Sequence, residues 1–255
     1  MGNMVKKEKD VVFLLDFDGV LFDTSLEAYY VMCETHEEGS INKNTIIDNR
    51  KYSRFLELRP FVTSAWQYYW VNEYIHSIES ESSYEYFSSE RININNSASQ
   101  QFEKKFLLNR KKLACSNYFN KPVSAPYKFW NMIQPLIELH PERFIILSTK
   151  DKESILHTIG TYNQGFEFDH ARIFCKSDFK ECGENKHNVF EKKIKDRFSN
   201  RYVYIEDSHI HIKEFYNEES VKCIRALWGY VPKNLKQNNS QMDTYKEINK
   251  EFYHE

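Results

Sequence analysis

The pattern of apolar and polar positions predicts a buried strand close to the amino terminus. Residues 11–15, VVFLL, form an apolar run that is typical of a strand covered on both faces. Asp16, Phe17, Asp18 and Gly19 follow directly. Side chains two positions apart in an extended chain point to the same face, so this segment places two carboxylates side by side. A simple turn explains Gly19 but not the pair, because like charges repel unless a cation or a shared proton lies between them.

Helical patterns fill the next part of the chain, from about residue 25 to residue 121. The apolar spacing predicts one helix in LEAYYVMCETH, capped by Thr24 or Ser25, and a second in SRFLELRPFVTSAWQYYWVNEYIHSI. Pro60 predicts an early turn or a break in the second pattern. A third helix is predicted in FEKKFLLNRKKLACSNYF, after the polar stretch ESESSYEYFSSERININNSASQ, which is typical of an exposed loop or a helix end.

From about residue 126, short apolar runs alternate with helical segments. FIILST, ARIFC, YVYIED and VKCIRAL have the length and composition of strands. The predicted helices are YKFWNMIQPLIELH before the first of these strands, and KESILHTIGTYNQ, NKHNVFEKKIKDRF and SHIHIKEFYNE between them. This alternation indicates a parallel sheet with helices on both faces, and the strand at residues 11–15 belongs to it. We therefore expect an α/β protein: a Rossmann-like parallel-sheet core, residues 1–24 and 122–255, with an inserted all-helical domain, residues 25–121.

The composition narrows the class of protein. Of 255 residues, 41% are hydrophobic and 28% are charged, which is ordinary for a globular chain. A formal net charge of -2 gives no basic field, so we expect no general binding to nucleic acid. The apolar runs are too short to span a bilayer and the amino terminus lacks the apolar core of a secretory signal, so we expect a cytoplasmic protein without a membrane partner. Five cysteines without Cys-x-x-Cys spacing are expected to be reduced, and the oligomeric state is left open.

The side chains that could take part in catalysis lie where predicted strands end. In parallel α/β sheets the ligand site lies beyond the carboxyl ends of the strands. Those ends carry Asp16 and Asp18, then Ser148-Thr149-Lys150, then Glu206-Asp207-Ser208. Taken singly, each has an ordinary explanation, because serine and aspartate cap helices and a surface lysine is usually solvated. Together they predict one site with four carboxylates, a hydroxyl and an amine.

A carboxylate cluster of this kind needs a hard cation, and Mg²⁺ favours oxygen ligands that it shares with substrate phosphate. With the cation bound, Asp16 could attack phosphorus and form an aspartyl-phosphate. Asp18 could protonate the leaving oxygen and then deprotonate water. A lysine and a hydroxyl would steady the oxygens of the transferring group. The residues therefore predict phosphoryl chemistry on a small phosphorylated substrate, with Mg²⁺ as cofactor.

These motifs resemble the haloacid dehalogenase (HAD) superfamily of phosphotransferases. DFDGV is similar to its first motif, ILS to its second, a lysine ahead of the fourth strand to its third, and IEDS to its fourth. CIRALWGYVP is similar to the segment that closes the core sheet in phosphoglycolate-phosphatase-like members. The resemblance covers roughly residues 10–24 and 125–232. It implies a phosphomonoester phosphatase, and the helical insertion is similar to the family's C1 cap, which closes over the substrate.

The resemblance also implies roles for individual residues. Asp16 would be the nucleophile and a metal ligand, and Asp18 the acid and base, with its backbone carbonyl on the metal. Asp207 would be the main fourth-motif ligand, and Glu206 would reach the metal directly or through water. Ser148 would bind phosphate.

Other assignments are less constrained by the motifs. Thr149 and Gly19 are further candidates for substrate binding. For the third-motif lysine we choose Lys186, which opens the predicted helix before YVYIED. Lys180 is the alternative, because no GKP-type signature accompanies either lysine. Arg59 could reach an anionic substrate or pair with a nearby glutamate.

Two rival functions remain at this stage. The first is a phosphomutase of the β-phosphoglucomutase type, because DFDGVLFDT and IEDS in this sequence also resemble the motifs of that branch. Such an enzyme would pass the phosphoryl group to a sugar hydroxyl. The second is a binding protein with a weakened site, since His211 stands where family members often carry an acid. Dehalogenation is disfavoured because that chemistry does without the second aspartate, and Asp18 is present. The aromatic residues Trp66, Tyr69, Trp70 and Tyr74 recur at helical spacing, which favours core packing over a stacking platform.

Overall fold

The computed structural model describes residues 10–39, 47–76, 94–115, 123–163, 165–183 and 185–253. Strands are numbered in chain order: β1 (Val12–Leu15), β2 (Phe22–Asp23), β3 (Ala125–Pro126), β4 (Phe144–Leu147), β5 (Ile173–Phe174), β6 (Tyr202–Glu206) and β7 (Val221–Arg225). Five of them form one parallel sheet in the order β5-β4-β1-β6-β7. The parallel sheet and its flanking helices confirm the predicted fold class.

The first strand lies in the middle of the sheet, which explains its uninterrupted apolar run. Leu15 is paired with Ile146 on one side and with Ile205 on the other. Phe13 and Leu15 contribute to the apolar cluster on one face, and Val12 and Leu14 to the cluster on the opposite face. A strand that is buried on both faces has no polar alternation. The carboxyl end of this strand is therefore surrounded by the carboxyl ends of its neighbours.

The helices follow the strands as the sequence predicted, with additions. They are α1 (Ser25–His36), α2 (Asn49–Leu58), α3 (Tyr68–His76), α4 (Ser97–Cys115), α5 (Lys128–Leu139), α6 (Lys152–Tyr162), α7 (Lys176–Cys182), α8 (Lys186–Val189), α9 (His209–Lys213) and α10 (Ser240–Tyr253). A π-helical turn, Phe190–Ile194, continues α8. The sequence patterns did not predict α7 or α10.

The predicted second helix is divided, as Pro60 indicated. Two 3-10 turns, Arg59–Phe61 and Ala65–Gln67, separate α2 from α3. Most of the polar stretch before α4, and the last residues of the third predicted helix, lie outside the described residues. Helices α1 to α4 share an apolar cluster of their own, which includes Phe55, Tyr68 and Phe106. The division of the chain into two domains stays a prediction.

A short antiparallel pair, β2 with β3, joins the two parts of the chain. Phe22 is paired with Pro126 and Asp23 with Ala125, so the chain enters and leaves the helical segment at neighbouring points. Two-residue strands leave no periodic signal, and the sequence patterns did not predict them. Within the part of the chain that the structure describes, no helix is long and apolar enough to cross a bilayer.

Candidate active site

The turn after β1 carries the first aspartate into a buried position. The Asp16 backbone N–H donates to the carbonyl of Ile205 at 3.0 Å, which continues the pairing with β6. The N–H groups of Leu21 and Phe22 both donate to the carbonyl of Phe17 at 3.0 Å, closing a tight turn. Gly19 lies inside this turn with φ +90°, a conformation that other residues rarely adopt.

Lys186 is the lysine that reaches the first aspartate. Its side chain is almost completely buried, and its Nζ lies 2.7 Å from Asp16 Oδ1 and 2.6 Å from Glu206 Oε2. It begins α8, where the Asn185 side chain accepts from the Asn188 N–H at 2.7 Å and so fixes the start of the helix. Lys180, the alternative from the sequence, is exposed on α7.

The end of β6 supplies two more buried carboxylates. Glu206 Oε2 accepts from Lys186 and from the Tyr204 hydroxyl, and its Oε1 accepts from the Ser208 N–H at 3.0 Å. Carboxylate oxygens of Asp16, Glu206 and Asp207 all lie within 4.8 Å of one another. The parallel order of β1 and β6 brings these residues together, as the sequence predicted.

The electrostatics of this acidic cluster, Asp16, Glu206 and Asp207, indicate a shortage of positive charge. Burial and the neighbouring Glu206 charge raise the pKa of Asp16 to about 6, although Lys186 opposes the rise. Burial and the charges of Glu206 and Asp16 raise the pKa of Asp207 well above its usual value. Burial opposes ionisation of Glu206 as well, but the Lys186 charge lowers its pKa to about 2. Three buried carboxylates, of which only Asp16 and Glu206 contact a lysine of the described part of the chain, fit a hard divalent cation.

Two glycines make room for the Asp207 carboxylate. A Cβ at Gly19 would lie 2.1 Å from Asp207 Oδ2, and a Cβ at Gly229 would lie 2.1 Å from the Gly19 carbonyl oxygen. The Tyr230 N–H donates to Asp207 Oδ2. The sequence patterns did not predict the role of Gly229 and Tyr230, although both belong to the CIRALWGYVP segment on which the resemblance partly rests.

The second aspartate of the motif faces a different environment. Asp18 Oδ1 accepts from the Thr24 hydroxyl at 2.7 Å and lies 3.2 Å from Lys150 Nζ. Burial opposes its ionisation, but the charges of Lys150, Arg110 and Arg59 lower its pKa below the usual value. The Asp18 side chain thus lies among cations and does not belong to the acidic cluster.

The end of β4 lies beside these groups. The Ser148 N–H donates to the Phe174 carbonyl at 3.0 Å, and the Ser148 side chain is buried. Thr149 lines a pocket together with Asp18 and Lys150. The predicted phosphate-binding and substrate-binding residues of this strand therefore converge on the same edge of the sheet as Asp16.

The helical segment contributes residues that sequence analysis missed. Glu27, buried in the first turn of α1, lies 3.0 Å from Lys150 Nζ and 3.1 Å from Arg110 Nε. The Ser124 hydroxyl donates to the same carboxylate at 3.2 Å. Glu27 and Arg110 belong to helices far apart in the chain, and no sequence spacing could have paired them. Arg59, the cationic candidate from the sequence, packs its guanidinium 4.0 Å from the centre of the Tyr230 ring.

His211, at the position where an acid was expected, supports the lysine indirectly. Its Nδ1 lies 3.0 Å from Glu214 Oε1. Glu214 Oε2 in turn accepts from the Lys186 N–H at 2.8 Å. His211 therefore belongs to a chain of contacts that fixes the start of α8.

No protein-family model matches this chain, and no curated protein matches it. A predicted phosphatase from Clostridium acetobutylicum aligns with a TM-score of 0.62 at 13% identity, over 95% of this chain and 100% of that one. A protein from Lactobacillus delbrueckii subsp. bulgaricus, provisionally named a phosphoglycolate phosphatase, aligns with a TM-score of 0.55 at 15% identity, over 94% and 98%. A haloacid dehalogenase-like family hydrolase from Streptococcus pneumoniae aligns with a TM-score of 0.52 at 13% identity, over 93% and 91%.

These alignments span nearly the full length of both chains at low sequence identity. The chain therefore has the haloacid dehalogenase-like fold, which confirms the resemblance at the level of the fold.

Proposed function

We propose that this protein is a Mg²⁺-dependent phosphatase of the haloacid dehalogenase type, which hydrolyses a small phosphorylated metabolite through an aspartyl-phosphate on Asp16. The observation that carries this proposal is the contact of Lys186 Nζ with Asp16 Oδ1 at 2.7 Å, inside the acidic cluster at the carboxyl edge of the sheet. The fold shared with phosphatases and hydrolases supports the same reaction class.

The acidic cluster would hold the metal. Asp16, Asp207 and Glu206 would supply side-chain oxygens, and Asp18 its backbone carbonyl. When bound, Mg²⁺ would neutralise charge on the cluster and on the phosphoryl oxygens. Glu206 already accepts from Lys186, Tyr204 and the Ser208 N–H, so its carboxylate is held in place before any metal binds.

Side chains of the protein would carry out the remaining steps of the reaction. The Asp16 carboxylate would attack phosphorus, and Lys186 would neutralise charge next to the nucleophile. Ser148, with Thr149 and the backbone at Gly19, would bind the phosphoryl oxygens. Asp18, on the pocket side, would give a proton to the leaving oxygen and later take one from water. Because Lys150, Arg110 and Arg59 lower its pKa, Asp18 would have to gain that proton when an anionic substrate enters and competes for these cations.

We infer that residues 25–121 act as a cap over this site. Two ion pairs join the helical segment to the end of the sheet where Asp16 lies. Glu27 lies 3.0 Å from Lys150, and Glu103 lies 2.6 Å from Lys176. A helical cover at this place would exclude water during transfer of the phosphoryl group.

A screen of phosphorylated metabolites with Mg²⁺, reading released phosphate, tests the proposed function. We expect release from at least one small ester, its loss after exhaustive chelation, and its recovery on addition of Mg²⁺ but not of Ca²⁺, whose larger coordination shell fits a compact site poorly. Undiminished turnover after chelation would contradict the proposal. Transfer to an added sugar phosphate in place of phosphate release would favour the phosphomutase alternative.

A further inference from the structure

Tyr230 contacts two parts of the candidate active site at once. Its backbone N–H donates to Asp207 Oδ2, a carboxylate oxygen of the acidic cluster. Its hydroxyl lies beside Thr24, the residue that precedes α1. Thr24 in turn contacts Asp18, the proposed acid and base. One residue therefore lies between the proposed metal site and the proposed proton donor.

The Tyr230 hydroxyl contacts the residues at which the chain enters the helical segment. The Thr24 N–H donates to the Tyr230 hydroxyl oxygen at 2.6 Å. The hydroxyl lies 3.2 Å from both Thr24 Oγ1 and Asp23 Oδ1, and it can donate to either. The Thr24 hydroxyl donates to Asp18 Oδ1 at 2.7 Å, so its proton is engaged and its oxygen can accept from Tyr230. A continuous chain of polar contacts therefore leads from Tyr230 to Asp18.

The loop that carries Tyr230 is attached to the two strand ends that carry the carboxylates. The Ala226 N–H donates to the Glu206 carbonyl at 2.8 Å, at the end of β6. The Trp228 indole N–H donates to the Val20 carbonyl at 3.0 Å, in the turn after β1, and Trp228 is almost completely buried. A tyrosine side chain has only two rotatable bonds before its rigid ring. The anchored backbone therefore also determines where the Tyr230 hydroxyl lies.

Packing of the ring does not explain the hydroxyl. The Tyr230 ring packs against the Arg59 guanidinium at 4.0 Å, and phenylalanine would supply the same ring and the same backbone N–H. What the hydroxyl adds is the set of polar contacts with Thr24 and Asp23. Thr24 is only 1% exposed, so loss of this acceptor would leave a buried N–H without it, which is costly. The hydroxyl is thus the part of Tyr230 that joins the loop to Thr24.

We propose that Tyr230 is a positioning residue, which aligns the metal ligand Asp207 with the acid and base Asp18. This inference rests on the proposed phosphatase function. The Tyr230 N–H orients Asp207, and the Tyr230 hydroxyl orients Thr24, whose own hydroxyl holds Asp18. Once the Asp207 carboxylate is ordered by the metal, Tyr230 transmits that order to Thr24 and to the start of α1. Asp18 is then in place for proton transfer when the metal site is filled.

Removal of the hydroxyl tests the link to Asp18. Tyr230→Phe keeps the ring and the backbone N–H, so it should fold normally and bind Mg²⁺ with unchanged Kd. We expect its kcat/KM to fall about tenfold for the best alkyl ester of the metabolite screen, and less than about twofold for para-nitrophenyl phosphate, whose leaving group needs no proton. Because kcat/KM covers the reaction only up to release of the alcohol, this contrast isolates the step in which Asp18 gives its proton.

The control for this substitution is Tyr216→Phe, which alters a tyrosine that is 69% exposed and should match the wild-type protein with both esters. A purely structural role of Tyr230 would lower kcat/KM equally for the two esters. Equal losses in Tyr230→Phe, or no loss, would overturn the inference.

A second variant shows whether Tyr230 acts through Thr24. Thr24→Val removes the hydroxyl that contacts Asp18 but keeps a side chain of similar shape, so we expect the same selective loss for the alkyl ester. In the Thr24→Val background, Tyr230→Phe should add less than about twofold, because substitutions within one chain of contacts are not additive. A full further loss in the double variant would show that Tyr230 acts by another route, and would overturn the inference.

Amide hydrogen exchange tests the coupling without turnover. The N–H groups of Glu27 and Ala28, at the start of α1, donate to the carbonyls of Val123 and Thr24 at 3.2 and 3.0 Å, so Tyr230 is not their partner. We expect Mg²⁺ to slow their exchange about fivefold or more in the wild-type protein and to have little effect in Tyr230→Phe. An equal effect of Mg²⁺ on both proteins would overturn the inference. The expected difference in exchange, without release of phosphate from any ester, would contradict only the proposed phosphatase.

Discussion

Lys186 Nζ lies 2.7 Å from Asp16 Oδ1, although 170 positions separate the two residues in the chain. The order of the sheet explains the contact, because β6 is the direct neighbour of β1 and α8 precedes β6. The first residue of α8 is thereby brought over the end of β1. The same arrangement places the lysine in contact with both Asp16 and Glu206, so one cation compensates the repulsion between two carboxylates.

Replacing this lysine should impair the reaction strongly. We expect Lys186→Met to lower kcat by about 10²–10³-fold, because the nucleophile loses its neighbouring positive charge. Lys180→Met, which alters an exposed lysine on α7, should keep wild-type kcat. Steady-state kinetics with a small aryl phosphate measure both variants, and circular dichroism checks their folding. A strong loss in Lys180→Met with full activity in Lys186→Met would reverse the assignment.

Binding of Mg²⁺ should depend on pH in a defined direction. The pKa of Asp16 is raised to about 6, so at pH 5 most of this carboxyl holds a proton that a cation must displace, and the raised pKa of Asp207 acts in the same direction. Stability from the raised pKa of Asp16 is fully present at low pH and is lost as the pH rises through about 6, where Mg²⁺ can replace the proton.

Thermal melts of the protein with and without Mg²⁺ measure this linkage. We expect saturating Mg²⁺ to raise Tm by about 5–10 °C at pH 7.5 and by much less at pH 5. Asp207→Asn should lose most of the response at pH 7.5. An equal response at both pH values, or a full response in Asp207→Asn, would contradict the assignment of the acidic cluster as the metal site.

The second aspartate should matter for proton transfer and not for folding. We expect Asp18→Asn to lower kcat by about 10²–10⁴-fold, because the amide can neither protonate the leaving oxygen nor activate water. The control is Glu167→Gln, which removes a carboxylate whose side chain is 86% exposed and should leave kcat unchanged. The loss should be smaller for an aryl phosphate with a good leaving group than for an alkyl ester. Equal losses for both ester types would argue against a role as general acid.

The glycine beside the fourth-motif aspartate should be required for metal binding. A Cβ at Gly229 would lie 2.1 Å from the Gly19 carbonyl oxygen and 2.7 Å from Asp207 Oδ2, so Gly229→Ala must displace that carboxylate. We expect this variant to lose affinity for Mg²⁺ in a calorimetric titration. Gly160→Ala is the matched control, because a Cβ at this position, in the last turn of α6, meets nothing within 4 Å. It should bind Mg²⁺ normally and gain about 0.5–1 kcal/mol of stability. Normal Mg²⁺ binding by Gly229→Ala would show that the site tolerates the extra methyl group.

The residues at the carboxyl edge of the sheet could be predicted from the sequence, because the topology of the sheet determines which residues meet there. Residues that follow parallel strands meet at one edge, so Asp16, Ser148 and Asp207 could be brought together from their positions alone. The apolar runs of β1, β4 and β6 are unambiguous because these strands are buried on both faces. Their chemical roles stay predictions.

Features that arise from contacts between distant elements could not be predicted. Glu27 and Arg110 meet through the packing of α1 and α4, and each looks like an ordinary polar residue of a helix in the sequence. The steric role of Gly229 exists only because two loops approach each other closely. The C-terminal helix α10 is mostly polar and buries Ile248 against the sheet, a pattern too sparse to predict the helix.

Trapping the covalent intermediate is the decisive test of Asp16 as the nucleophile. The enzyme is quenched in acid during turnover of an aryl phosphate with Mg²⁺, and borohydride then reduces any acyl phosphate to an alcohol, which peptide mass analysis locates. We expect conversion of Asp16 to homoserine only when substrate and Mg²⁺ are present, and none in Asp16→Asn, which should also lack turnover. An active enzyme with no modification at Asp16, or with the modification on another residue, would contradict it.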